Sequence, residues 1–159
     1  MLLHETPANS QQAPAAGLQF PTTGTKYIYA QWEVPDDWAG DNVIIEIDWY
    51  PDGADIPPGA AIRWVFEYRA IAEGELITQG TVATVDNGIG GDTTGYVRYK
   101  TKHTQFVLPY NHASQPLTKQ DHLFFRVWRD APVAGDFGGT VVATEFEVIY
   151  HSVGIPTSN

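Results

Sequence analysis

Cysteine is absent from this chain of 159 residues. That excludes a disulfide framework, a thiolate metal site and a cysteine nucleophile, and leaves the redox compartment open. Long apolar runs are missing too: no stretch approaches the roughly 20 residues needed to span a bilayer as a helix. Cations are scarce, with nine Lys and Arg against nineteen Asp and Glu, for a formal charge of −10. None of the nine precedes Lys26, and Leu2-Leu3 is too short for the apolar core of a signal peptide, so export by the general secretory route is not expected. A surface of this sign repels phosphate, so neither nucleic acid nor an anionic membrane is an expected partner. Helical periodicity is also lacking.

What the chain does have is alternation. In Ala61-Ile62-Arg63-Trp64-Val65-Phe66-Glu67-Tyr68-Arg69-Ala70, Ile62, Trp64, Phe66 and Tyr68 share one face. Arg63, Glu67 and Arg69 share the other, which is the period-two signature of a half-buried strand. About eight strands are read this way: Tyr27–Glu33, Val43–Tyr50, Ala61–Ala72, Leu76–Val85, Tyr96–Lys100, Thr104–Leu108, His122–Arg129 and Val141–Tyr150. The fifth and sixth are read as a hairpin. In the last, Val142, Phe146, Val148 and Tyr150 are placed on one face, with Glu145 and Glu147 on the other. Pro35-Asp36-Asp37, Asp52-Gly53, Pro57-Pro58-Gly59, Asn87-Gly88, Gly90-Gly91-Asp92 and Gly138-Gly139 supply turn chemistry between them. The expected fold is all-β, an antiparallel β-sandwich of the jelly-roll count, occupying residues 26–159. Residues 1–25 are rich in Pro, Ala, Gln and Thr and are read as an extended or flexible arm, with Leu18 and Phe20 as its contact-making side chains.

Candidate sites are few. Trp49 and Trp64 fall on apolar strand faces and read as core, whereas Trp38 lies in a loop beside Asp36 and Asp37 and is the candidate for a surface or glycan-binding loop. Phe124, Arg126 and Trp128 share one face of their strand, opposite Leu123, Phe125 and Val127. A strand with bulky groups on both faces is buried on both or sits in an oligomer interface, so these three are the interface candidates. The histidines His4, His103, His112, His122 and His151 show no paired ligand spacing, and no calcium loop or phosphate loop is present. No metal and no cofactor are expected. Glu46 with Asp48 and Glu145 with Glu147 are i, i+2 carboxylate pairs on outward strand faces. They read as the solvated side of a sheet rather than a glycosidase pair. No serine lies in a Gly-x-Ser-x-Gly context, and an enzyme is not expected.

The order of phrases carries a resemblance. Trp32 to Gly40 runs Trp-x-x-Pro-x-x-Trp-x-Gly, followed by the strand ending Asp48-Trp49-Tyr50 and by Arg63 to Ala72. Then come Asp121-His122-Leu123-Phe124-Phe125-Arg126-Val127-Trp128-Arg129-Asp130 and Glu145-Phe146-Glu147-Val148-Ile149-Tyr150. Over about Tyr27 to Tyr150 this resembles small jelly-roll virion proteins of tailed bacteriophages, known as head decoration or cement proteins, with related domains in tail fibres. The resemblance implies a homotrimer on the outer capsid surface, made in the host cytoplasm, with the major coat protein as partner and no catalytic residues. A tail-fibre or receptor-binding domain, or a carbohydrate-binding module gripping a glycan through end loops, is the alternative.

Overall fold

The computed structural model describes residues 17–22, 26–76, 83–88, 96–130 and 135–154, for most of 83–88 as backbone alone. Eight strands are formed: β1 (Leu18–Phe20), β2 (Ile28–Glu33), β3 (Val43–Asp52), β4 (Arg63–Ile71), β5 (Ala83–Gly88), β6 (Lys102–Leu108), β7 (His122–Asp130) and β8 (Thr140–Ile149). They are rich in β-branched and aromatic residues, which fit a pleated, half-buried surface. Among the described residues there is no helix.

The pairing has a simple logic. β1 pairs with β8, β2 with β7, β3 with β6 and β4 with β5, all antiparallel. The chain is thus one long hairpin bent back on itself. Lateral pairing of β8 with β3 and of β7 with β4 then closes two four-stranded sheets, ordered β1-β8-β3-β6 and β2-β7-β4-β5. This is a jelly roll, as the strand count implies. Between the sheets the expected core assembles: Trp49 and Trp64 face each other with centroids 6.2 Å apart, and Phe66 stacks on Phe106 at 5.2 Å. Two polar groups drawn into this layer are satisfied, because the Trp49 indole N–H donates to Thr104 Oγ1 at 3.0 Å and the Tyr68 hydroxyl donates to the Gln115 carbonyl at 3.3 Å, whereas the Trp64 indole N–H is buried without a partner among the described residues. Burial pushes the Tyr68 hydroxyl up to about 12, which keeps it a neutral donor.

Four details depart from the sequence-based reading. Leu18–Phe20 is the first strand of the sandwich and not part of an arm. Phe20 is 2% exposed and meets Trp64 edge-on at 5.0 Å, so it is core and is not available to a partner. Gly17 makes this docking possible: a Cβ there would stand 2.5 Å from both the Ala143 carbonyl oxygen and Val142 Cγ1. Residues 1–16 and 23–25 lie outside the described residues. Second, Tyr96–Lys100 is not a strand but a bridge and turn. Tyr96 exchanges backbone hydrogen bonds with Ile56 at 2.8 and 2.9 Å, and Tyr99 turns the chain with φ at 60°. β6 therefore pairs with β3 and makes no hairpin with this segment.

Third, Asn87-Gly88 is strand, opposite Trp64 and Arg63, whereas Gly53 and Gly59 take the positive φ expected of turns, both at 82°. Leu76 lies in an exposed loop, residues 77–82 are outside the described residues, and so is the Gly90-Gly91-Asp92 segment. Fourth, the register of β8 on β3 shifts between Asp48 and Trp49, so that Asp48 faces Glu145 while Trp49 faces Ala143. The extra residue, Thr144, reverses the parity of the strand. Val142 consequently leaves the face of Phe146 and packs on the outer side opposite Tyr50, while Val141 and Ala143 enter the core.

Candidate functional site

The outward face of the β2-β7-β4-β5 sheet gathers the interface candidates. Phe124, Arg126 and Trp128 alternate outward from β7 because Leu123, Phe125 and Val127 alternate into the core. Cross-strand register then fixes their neighbours. Arg126 lies between Tyr29 of β2 and Glu67 of β4, Trp128 opposite Val65, and Phe124 between Gln31 and Arg69. Tyr27, just before β2, completes the cluster.

Charge and aromatic contacts hold this face in one arrangement. Arg126 Nε and Nη2 reach Glu67 Oε2 at 2.7 and 2.6 Å. Its guanidinium stands 5.2 Å from the Tyr27 ring centroid and 5.3 Å from that of Trp128, and those two rings are 5.5 Å apart. The Glu67 carboxylate raises the Arg126 pKa further above its ordinary value, so the charge is permanent. A second pair, Arg63 with Asp130 at 3.0 Å, sits at the end of the same face. Yet the aromatics are not covered: Tyr27 is 42% and Tyr29 68% exposed, and Phe124 and Trp128 are half-buried. Beside them an open groove of about 350 Å³ is lined by Tyr29, Glu67, Arg69, Ile71, Phe124 and Arg126. Aromatics and arginine with few other charges make the composition preferred at the centre of protein interfaces.

The loop carrying Trp38, Asp36 and Asp37 does not form a surface platform. Trp38 is 3% exposed and its backbone bridges to Ser152, so the indole closes the end of the sandwich. Asp36 accepts from Gln120 Nε2 at 2.9 Å, and Asp37 accepts from Ser152 Oγ at 2.6 Å. Both carboxylates fasten this loop to its neighbours, a structural role that the acidic sequence alone does not separate from ligand binding.

The β1-β8-β3-β6 sheet brings together residues that spacing kept apart. Glu46 and Asp48 project outward from β3, and the β3–β6 register sets His103 opposite Asp48 and Gln105 opposite Glu46. His103 Nδ1 lies 2.5 Å from Asp48 Oδ1 and 3.3 Å from Glu46 Oε1, and Gln105 Nε2 donates to Glu46 Oε2 at 2.6 Å. Hydrogen bonding to Asp48 pushes the His103 pKa up from its ordinary value. On the other side of β3, Glu147 stands opposite Glu46 and Glu145 opposite Asp48. Alternation identified the outward carboxylates. The imidazole was missed because strand pairing, not local spacing, delivers it.

No protein-family model matches the chain, and no curated protein matches it in sequence. Among solved structures, a chain in the structure of infectious bursal disease virus, Gt strain, matches with 10% identity and a TM-score of 0.32. The match covers 92% of this chain and 37% of that one, so this chain spans little more than a third of its length.

Proposed function

We propose that this chain is a structural protein of a virus particle, specifically a head decoration protein of a tailed bacteriophage that binds the assembled coat lattice as a homotrimer. It acts by binding and carries out no chemistry. The observation that supports this most is the outer face of the β2-β7-β4-β5 sheet, where Tyr27, Tyr29, Phe124 and Trp128 keep apolar area in solvent around an arginine held in place by Glu67. Contiguous aromatic surface of this kind marks an interaction site. Its rigidity lowers the ordering cost of association. The phage resemblance of Trp32–Gly40 and Asp121–Asp130 supplies the kind of particle. A ligand that binds the assembled lattice and not its loosened form stabilises the particle by mass action, and three linked subunits add avidity.

Light scattering on the purified chain, with sedimentation alongside undecorated capsids of the phage that encodes it, tests the reading. The expected result is a mass three times that of the chain and saturable pelleting. W128E, on the outer face, is expected to give monomers that retain the wild-type circular dichroism spectrum. A truncation lacking residues 1–16, which spares Gly17 and β1, is expected to stay trimeric and lose capsid binding. A wild-type monomer that stays in the supernatant overturns the reading and returns weight to a glycan-binding domain.

A further inference from the structure

Glu46, Asp48 and His103 converge outside the proposed interface, on the opposite sheet, and their ligand atoms all lie within 4.8 Å of one another. We infer that this triad, on neighbouring strands of the β1-β8-β3-β6 sheet, is a binding site for a divalent transition cation of the zinc type. The inference is independent of the decoration reading.

The donor set selects the ion. Calcium and magnesium take oxygen ligands almost throughout, whereas an imidazole beside two carboxylates suits zinc and its neighbours. Tetrahedral zinc with ligands at about 2.0–2.2 Å holds its donor atoms roughly 3.3–3.6 Å apart. The separation of His103 Nδ1 from Glu46 Oε1, 3.3 Å, already meets that requirement. His103 and Asp48, at 2.5 Å, are bridged by a hydrogen bond and need to open by about an ångström when the ion takes its place. Gln105 holds Glu46 through its other oxygen and leaves Oε1 turned toward the imidazole. Glu145 and Glu147 stand on β8, on the far side of β3 from His103, so the triad supplies three donors and water takes the fourth position.

A contrast between the two sheets strengthens the case. On the β2-β7-β4-β5 face the outward carboxylates Glu67 and Asp130 each have an arginine, and Glu33 stands opposite His122. On the triad's face, four carboxylates stand in two directly opposed like-charged pairs, and among the described residues neither Glu145 nor Glu147 has a cation. Like charges directly opposite are unfavourable in a sheet. A divalent cation supplies the missing positive charge and ties β3 to β6.

The test is calorimetric titration of chelator-stripped, full-length protein with zinc, magnesium and calcium, with thermal melts at each concentration. One equivalent of zinc is expected to bind saturably and raise the melting temperature, with at least tenfold weaker binding of the other two. H103A and the double variant E46Q/D48N are each expected to lose at least tenfold in zinc affinity. H151A, which removes the other exposed histidine paired to an aspartate, is expected to leave it unchanged. Circular dichroism checks that each variant is folded. Absence of saturable zinc binding in the wild-type protein overturns the inference, as does H103A binding zinc as tightly as wild type, or calcium matching zinc.

Discussion

Single residues decide how the sandwich closes. The Arg129 side chain is 2% exposed and pairs with Asp136, 7% exposed, at 3.0 Å. The same guanidinium donates to the carbonyls of Gly139 at 2.6 Å and Phe20 at 3.4 Å, and to that of Phe137. It therefore ties the end of β7 to the following loop and to β1. Burial lowers its pKa from the ordinary arginine value, but an arginine stays charged. D136N is expected to leave this charge buried without its partner and cost about 3–5 kcal/mol in urea denaturation. Asp121 gives the opposite sign. Burial raises its pKa above the ordinary carboxylate value although the Thr118 backbone N–H donates to it at 2.8 Å. A raised folded pKa favours the native state below the unfolded value, and that contribution is lost as pH rises through the folded one. D121N keeps an acceptor for Thr118 without the charge. Thermal melts across pH are expected to show D121N more stable than wild type at neutral pH, with the difference shrinking on acidification.

Elements show what the sequence discloses and what it withholds. β4 was legible because Ile62, Trp64, Phe66 and Tyr68 alternate without interruption, and all four are buried. β7 was legible for the same reason, and with it the shared face of Phe124, Arg126 and Trp128. β1 was not, since three residues are too few for a period and its flanks are Pro-, Gly- and Thr-rich. Only its pairing with Val141, Val142 and Ala143 makes it a strand. F20A is accordingly expected to destabilise by about 3–5 kcal/mol in chemical denaturation, and G17V to push β1 off β8. The bulge at Thr144 was invisible for a related reason: parity within a strand is local, but a register shift belongs to two strands together. The triad of Glu46, Asp48 and His103 shares that property. Its carboxylates could be assigned to an outward face from alternation, while its imidazole depended on the β3–β6 register.

At the scale of the molecule, the two sheets divide their work. One presents an aromatic and arginine surface, the other carboxylates and a histidine beside exposed Val107 and Ile149, and the apolar layer between them is shared. Substituting a charge at Trp128 is therefore expected to change assembly while the monomer still folds, because that side chain faces away from the core. The long-hairpin pairing also fixes an order of events in time. β4 and β5 are separated by a short stretch of chain, while Leu18 meets Ala143 only after nearly the whole sequence has been made. Loop-closure entropy favours the inner pair first and the β1–β8 seam last. Until that seam closes, β1 is unpaired and Trp64 lacks its contact with Phe20, so a nascent chain carries a strand without its partner until β8 has been made. The slowest refolding phase should then report on Phe20 docking, and crowded full-length chains whose seam is still open should exchange their first strands between copies.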